Sequence, residues 1–285
     1  MNNYNISKTM ASYLEDKISN PQAKTNKSTV IALIKRNLCT DDGMLTASGK
    51  SVAISLLPLK EQCSIMGISI QEIFLSQYPS PEEALVLSLR KESKLAYYTE
   101  NTFGVHVAPF FIFDKIYKLA VDLNAPLYGV SFGIDSLSHK TIMQVLKDNI
   151  ESILNEIDAN TSQRNFELIT FLNRRRKILL ERSASHERFG GFWQDCWERD
   201  FYRDIFTYLG VEKIKKIIRL VISNPNLYSK GWPDIIVLDR EFPYFVEVKT
   251  TDKLHLSQII TMGEIINKIE IPIYCVRIKT IKKGN

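Results

Sequence analysis

The chain has 285 residues, 45% of them hydrophobic, which is enough for more than one compact unit with an apolar core. Its 37 Lys and Arg residues against 32 Asp and Glu residues leave a formal charge of +5, which permits a polyanionic partner without requiring one. The longest apolar runs are much shorter than the roughly 20 residues of a membrane span, and the polar start has no signal core. These features predict a cytoplasmic protein that does not bind a membrane.

The four cysteines, Cys39, Cys63, Cys196 and Cys275, are scattered without a CxxC pair. This pattern argues against a zinc knuckle and against a disulfide framework, and it predicts reduced, buried thiols.

The first 80 residues predict an arm and then a group of short helices. Residues 1–27 are polar and rich in Asn, Ser and Lys, whereas residues 28–80 predict short helices separated by Pro58 and Gly67. The stretch "LTASGKSVAISL" resembles a helix start of winged-helix proteins, so one interpretation is a DNA-binding module. The alternative is a small helical bundle, because no helix rich in Arg, Asn or Gln stands out.

Residues 81–185 predict a mainly helical connecting region. The stretches "PEEALVLSLRKESKLAYYTE" and "DSLSHKTIMQVLKDNIESILNEIDA" are typical of helices, and "VHVAPFFIFDKIYKLAVDL" fits either a strand or a buried helix. A later helix carries four consecutive cations, Arg174, Arg175, Arg176 and Lys177. They are interpreted either as a solvated helix face or as contacts to a phosphate backbone.

The last hundred residues predict the order helix, strand, strand, helix, strand. An aromatic helix ends at Gly210, a strand begins at Ile235, and the tight connection "DREFP" leads into the strand "YFVEVK". A helix over residues 256–268 and the apolar strand "PIYCVRIK" follow.

Charged residues occupy this predicted hairpin at positions where apolar residues are expected. Glu247 and Lys249 project to the same face of their strand, whereas Val246 and Val248 face the other way, and Asp234 opens the neighbouring strand. Because buried charges need partners, this arrangement predicts a metal site.

The predicted metal donors are the carboxylates of Asp234 and Glu247 and the backbone carbonyl of Val248, which suit Mg²⁺ or Mn²⁺. A divalent cation next to a lysine can activate a water molecule for attack on a phosphate, so the pattern predicts phosphodiester hydrolysis.

At these residues the sequence resembles the PD-(D/E)XK nuclease superfamily. Pro233 and Asp234 are followed, after twelve residues, by Glu247, Val248 and Lys249. The wider stretch "KGWPDIIVLDREFPYFVEVKTTDKLHLSQ" is similar to the VRR-Nuc branch, which includes the Fanconi-associated nuclease. The shared positions are Gly231, Pro233, Asp234, Glu247, Lys249, Asp252, Lys253, Leu254 and Gln258.

The resemblance covers residues 186–285 and implies a mixed α/β or α+β fold. The expectation is a restriction-endonuclease-like core, with a mixed sheet flanked by helices, preceded by a mainly helical N-terminal part. Thr250 and Thr251 depart from the Gly-Pro of many relatives, which leaves the conformation of the following loop open.

The resemblance also implies roles for individual residues. Asp234 and Glu247 would bind metal, Lys249 would be the base or an electrostatic stabiliser, and Gln258 would support the water or the phosphate. An acid from a preceding helix is also expected, with Glu187 favoured and Glu198 as the alternative. Two further cations are expected to contact nucleic acid, namely Lys230 and Lys253.

The function predicted from these features is a Mg²⁺- or Mn²⁺-dependent DNA nuclease, and specifically an endonuclease of DNA repair, junction processing or phage defence. The alternatives are a restriction-type enzyme and a non-catalytic DNA-binding subunit, and an RNase remains open. A homodimer is also open, because one catalytic centre cuts one strand.

Overall fold

The computed structural model describes residues 4–23, 26–75, 80–92, 94–100, 103–123, 140–180 and 199–280. Within these ranges the side chains of residues 75, 172–180, 199 and 280 are not described. No helix of these ranges is long and apolar enough to cross a membrane.

The N-terminal helices are α1 (Lys8–Ser19), α2 (Lys27–Ile34), α3 (Ala47–Leu56) and α4 (Leu59–Met66). The predicted breaks are confirmed, since Pro58 precedes α4 and Gly67 ends it with a φ of +69°. Gly49, the glycine of "LTASGK", packs against the chain before α3, and a Cβ there would lie 1.9 Å from the carbonyl oxygen of Leu38. That glycine therefore has a packing role in this fold.

The described residues contain a mixed sheet of five strands with an apolar cluster on each face. Its strands are β1 (Ser69–Leu75), β2 (Leu95–Tyr98), β3 (Ile235–Leu238), β4 (Tyr244–Lys249) and β5 (Ile273–Thr280), in the order β1-β5-β4-β3-β2. Strand β5 is parallel to β1 and β4, whereas β3 is antiparallel to β4 and β2. The predicted hairpin is confirmed as β3 and β4, and the mixed sheet with flanking helices confirms the predicted α+β core.

Two of the five strands come from the part of the chain predicted to be mainly helical. Helix α5 (Pro81–Lys91) begins where the helix was predicted to begin and is capped by Ser80, but the chain then turns into β2, where a continuous helix was predicted. Leu95 pairs with Leu238 and Tyr98 with Ile235, so pairing with a distant strand overrides the local helical pattern. Strand β1, in a stretch predicted as helix, pairs with β5.

Between β2 and β3 the described residues form helices joined by short turns and loops. A π-helical turn (Phe103–Val107) leads into α6 (Ala108–Phe111) and α7 (Phe113–Asp122), so the ambiguous segment is a buried helix. The later helices are α8 (Lys140–Asp148), α9 (Ile150–Asn155), α10 (Thr161–Leu180), α11 (Arg199–Ser223) and α12 (Pro225–Tyr228). Gly210 interrupts α11 with a φ of +73°, at the point where a helix end was predicted.

Helix α13 (Leu256–Glu264) and a π-helical turn (Ile265–Ile269) connect β4 to β5. Apolar clusters cover both faces of the sheet, one containing Phe245 and Ile259, the other Val246 and Ile278. Three cysteines, Cys39, Cys63 and Cys275, are buried free thiols as predicted, and Cys196 lies outside the described residues.

Candidate active site

Asp234 stands at the start of β3, at the end of a tightly packed loop. Gly231 in that loop has a φ of +77°, and a Cβ there would lie 2.2 Å from the carbonyl oxygen of Ser257 in α13. Thr261 of α13 donates to the carbonyl of Lys230 at 2.7 Å. Glycine is required at this close approach, which fixes the loop, and with it Asp234, against α13.

The Asp234 carboxylate is buried and meets the neighbouring strand. Its Oδ2 accepts a hydrogen bond from the N–H of Val248 at 2.7 Å. Its position beside β4 is therefore set by backbone geometry.

Glu247 and Lys249 form a buried ion pair on one face of β4. The side chain of Glu247 is 0% exposed and that of Lys249 6%, and Nζ lies 2.8 Å from Oε1. Val246 and Val248 pack in the apolar cluster on the opposite face, as the predicted alternation requires. The second carboxylate oxygen, Oε2 of Glu247, is buried without a hydrogen-bond partner among the described protein atoms.

Gln258, in the first turn of α13, connects this pair to the helix. Its amide nitrogen donates to Glu247 Oε1, and its amide oxygen accepts from the N–H of His255 at 3.0 Å. The same oxygen lies 3.3 Å from Lys249 Nζ, and Asp252 Oδ2 lies 3.5 Å from that ammonium. The structure thus brings together Asp234, Glu247, Lys249 and Gln258, as the sequence predicts.

Burial dominates the electrostatics of the two carboxyl groups. It raises the pKa of Glu247 to about 7, against the opposing effect of Lys249. Burial, together with the charge of Glu247, raises the pKa of Asp234 well above its usual range. Burial disfavours the Lys249 ammonium, but the Glu247 carboxylate outweighs it and raises the pKa of the lysine.

These groups fit a divalent cation. Two buried carboxyl groups that repel each other, one of them with an unpartnered oxygen, are stabilised by a positive ion between them. Oxygen donors of this kind suit Mg²⁺ or Mn²⁺. Among the described residues no cluster has three or more His, Cys, Asp or Glu side chains suited to a metal. The structure therefore brings together two carboxylate donors, and the role of the Val248 carbonyl as a third donor stays a prediction.

A further carboxylate lies near Asp234 and was not predicted. Glu100 follows β2, and its charge contributes to the raised pKa of Asp234. Its position is set by its neighbour Thr99, whose N–H donates to the Asp234 carbonyl at 2.6 Å. The hydroxyl of Tyr98 donates to the Glu100 carboxylate. Glu100 could have been found from the sequence as an acid that directly follows a strand. It was missed because β2 was predicted as part of a helix.

A cleft of about 400 Å³ opens beside this cluster. Glu100, Lys230, His255 and Gln258 are among the residues that line it. Lys230 therefore lines a cleft next to the charged cluster, and its contact with nucleic acid stays a prediction. Lys253 instead donates through Nζ to the carbonyl of Leu56 at 2.9 Å, so its predicted contact with DNA has no support in the geometry and stays a prediction.

The remaining predicted site residues cannot be placed in the cluster. Glu187 and its alternative Glu198 lie outside the described residues. Residues 174–177 lie in α10, but their side chains are outside the described part of the chain.

Solved structures with a similar fold are complexes of paFAN1 with DNA. One, bound to DNA with a 2-nucleotide 5′ flap and a gap, matches with a TM-score of 0.60 and 13% identity over 90% of this chain. Another, with a 1-nucleotide flap, matches with a TM-score of 0.53 and 15% identity over 90% of this chain. This chain has the same fold as the matched part of paFAN1.

The predicted resemblance is thereby confirmed at the level of the fold. The matched parts are 46% and 47% of the two paFAN1 chains, so this chain spans about half of their length. No family model matches the sequence, and no curated protein matches it.

Proposed function

We propose that the chain is a divalent-metal-dependent nuclease that hydrolyses phosphodiester bonds of DNA. The observation that carries the proposal is the buried group of Asp234, Glu247 and Lys249, in which Glu247 Oε2 has no partner among the described protein atoms. A fold built only for stability gains little from this arrangement, because buried charges cost free energy unless they are fully paired.

Asp234, Glu247 and the Val248 carbonyl would hold Mg²⁺ or Mn²⁺. When bound, the cation would polarise the phosphate and lower the pKa of a coordinated water. Glu100, whose charge acts on Asp234, would be a further acid of this site, and Glu187 remains the acid expected from the family resemblance.

Lys249 would act on the charge of the phosphate. Of its two predicted roles, electrostatic stabiliser and base, the ion pair with Glu247 favours the first because it favours the charged ammonium. Gln258 would keep Glu247 oriented, since its amide oxygen is already occupied by His255 N–H and its nitrogen therefore points to the carboxylate.

DNA is the proposed substrate because the similar paFAN1 structures contain flap DNA. Lys230 lines the cleft beside the cluster, where a phosphate backbone would find a cation. We propose endonuclease activity in DNA repair, junction processing or phage defence, with Arg174, Arg175, Arg176 and Lys177 as backbone contacts.

The test is cleavage by the purified chain, with Mg²⁺ or Mn²⁺, of plasmid, 5′-flap, junction and single-stranded DNA and of RNA. We expect flap or junction DNA to be cut, and Asp234→Asn to lower the rate by roughly 10²- to 10³-fold. Discrete plasmid fragments would instead indicate a restriction-type enzyme, and binding without turnover would indicate a non-catalytic subunit.

The matched control is Glu241→Gln, which also converts an acid to its amide but lies exposed in the connection between β3 and β4. It should keep wild-type activity. Wild-type rates in Asp234→Asn, with both variants folded, would refute the assignment of the site.

A further inference from the structure

A buried glutamine of α4 holds the loop that follows β4. The Gln62 side chain is 0% exposed. Its amide nitrogen donates to the carbonyls of Leu254 (3.2 Å) and Ile54 (3.1 Å), and its oxygen accepts from the N–H of Leu254 (2.8 Å). Both backbone groups of one loop residue are thus bonded by a single side chain, as a neighbouring strand would bond them.

The loop in question, residues 250–255, joins two elements of the active site. Lys249 ends β4 before the loop, and Gln258 lies in the first turn of α13 after it. Residues 250–253 are exposed and have no helix or strand structure, whereas Leu254 is buried. Because Asp252 of the loop lies 3.5 Å from the Lys249 ammonium, a shift of the loop would also reach the ion pair.

A second anchor comes from the same part of the N-terminal helices. Lys253 Nζ donates to the carbonyl of Leu56 in the last turn of α3, at 2.9 Å. Carbonyls of a last helical turn lack partners within the helix and favour a cation. Next to Gln62, the buried Cys63 thiol interacts with Cys275 of β5, which is paired in register with Glu247. The pair α3 and α4 therefore contacts both the loop and the sheet behind the site.

We propose that Gln62 is a positioning residue for the nuclease reaction. The inference rests on the proposed function, and it gives α3 and α4 a defined effect on the reaction. By fixing Leu254, Gln62 sets the conformation of residues 250–255, and through that loop the placement of Lys249 and Gln258. It acts without touching the substrate.

The test compares Gln62→Met, which keeps the length of the side chain, with the wild-type chain. On the DNA substrate that the wild type cuts, kcat should fall by roughly ten- to a hundredfold, because small displacements of reacting groups are costly. KM should change little, since no substrate contact is removed. Amide hydrogen exchange of residues 250–256 should become faster, and exchange in α1 should not change.

Lys253→Met is the second variant, and it removes an exposed group, so the protein is expected to fold. It should lower kcat in the same direction but less. A raised KM with an unchanged kcat would mean that Lys253 contacts DNA, and it would overturn the second anchor.

Leu146→Ala is the control for stability, because it removes buried apolar atoms in α8, a helix whose main contacts are with α7, α9 and α11. It should lower the thermal midpoint without lowering kcat at a temperature where the variant is folded. Unchanged loop exchange in Gln62→Met, or an equal loss of kcat in Leu146→Ala, would overturn the proposal. If the wild type cuts no substrate, the proposed function fails, and the exchange measurement alone then decides whether Gln62 fixes the loop.

Discussion

Strand β4 buries both of its faces, but the two faces differ in what stabilises them. Val246 and Val248 are 3% and 5% exposed and pack with Val276 and Ile278. Glu247 and Lys249 are buried to the same degree on the other face. Apolar burial stabilises a fold by itself, at about 25 cal/mol per Å², whereas a buried carboxylate costs free energy unless it is paired. Equal burial therefore stabilises the fold on the apolar face, whereas on the charged face it costs free energy that the proposed metal site would explain.

The largest stability effect is expected from breaking the ion pair. Lys249→Met leaves the Glu247 carboxyl buried without its cation, and removal of one partner of a buried pair typically costs about 3 kcal/mol or more. The variant should also lose cleavage activity. Denaturant unfolding, followed by circular dichroism, measures the change in the free energy of unfolding.

The double variant Lys249→Met with Glu247→Leu sharpens this prediction. Apolar replacement of a whole buried ion pair is often neutral or stabilising, so most of the lost stability should return, while activity should not. A double variant no more stable than Lys249→Met would show that the charges are needed for folding as well.

A substitution on the apolar face of the sheet should lower stability without lowering kcat. Ile278→Ala on β5 removes buried atoms from the cluster that contains Val246 and Val248, and it should cost about 2 kcal/mol or somewhat more. Its kcat should stay near the wild-type value in conditions where the protein is folded, because no group of the charged cluster is altered. A loss of kcat comparable to that of Asp234→Asn would mean that the two faces are not separable.

The contrast also explains which parts of the site could be predicted from the sequence. Asp234, Glu247, Lys249 and Gln258 lie within 25 consecutive residues, where strand alternation and a short hairpin place them together. These four residues come together through local geometry, and local geometry can be predicted from a sequence pattern.

The features that the sequence did not predict depend on contacts between residues far apart in the chain. Strand β2 pairs with β3, which is far away along the chain, so the local pattern did not reveal the strand, and Glu100 after it was missed for the same reason. Gln62 is one glutamine in a short helix, and its partner Leu254 is 192 positions away. Such pairings depend on packing of the complete chain, which periodicity in a short window does not contain.

The smallest expected effect is a change in the thermal midpoint on addition of a divalent cation. It tests the charged face of β4 without a cleavage assay. A cation that binds the folded state alone should stabilise it by about 1.4 kcal/mol at a concentration about ten times its Kd. The thermal midpoint of the wild type should therefore rise on addition of Mg²⁺ or Mn²⁺.

Glu247→Gln should lose most of this rise, because it removes a charged oxygen donor from the pair of carboxylates. Glu241→Gln, with the same change at an exposed position, should keep it. An equal rise in both variants would place the stabilising cation elsewhere on the protein. The charged face of β4 would then need another explanation for its unpartnered Glu247 oxygen. If the thermal midpoint rises only in chains that keep Glu247, the cation binds at the buried carboxylate of Glu247. Burial in β4 would then stabilise the fold at Val246 and Val248 and favour binding of a cation at Glu247.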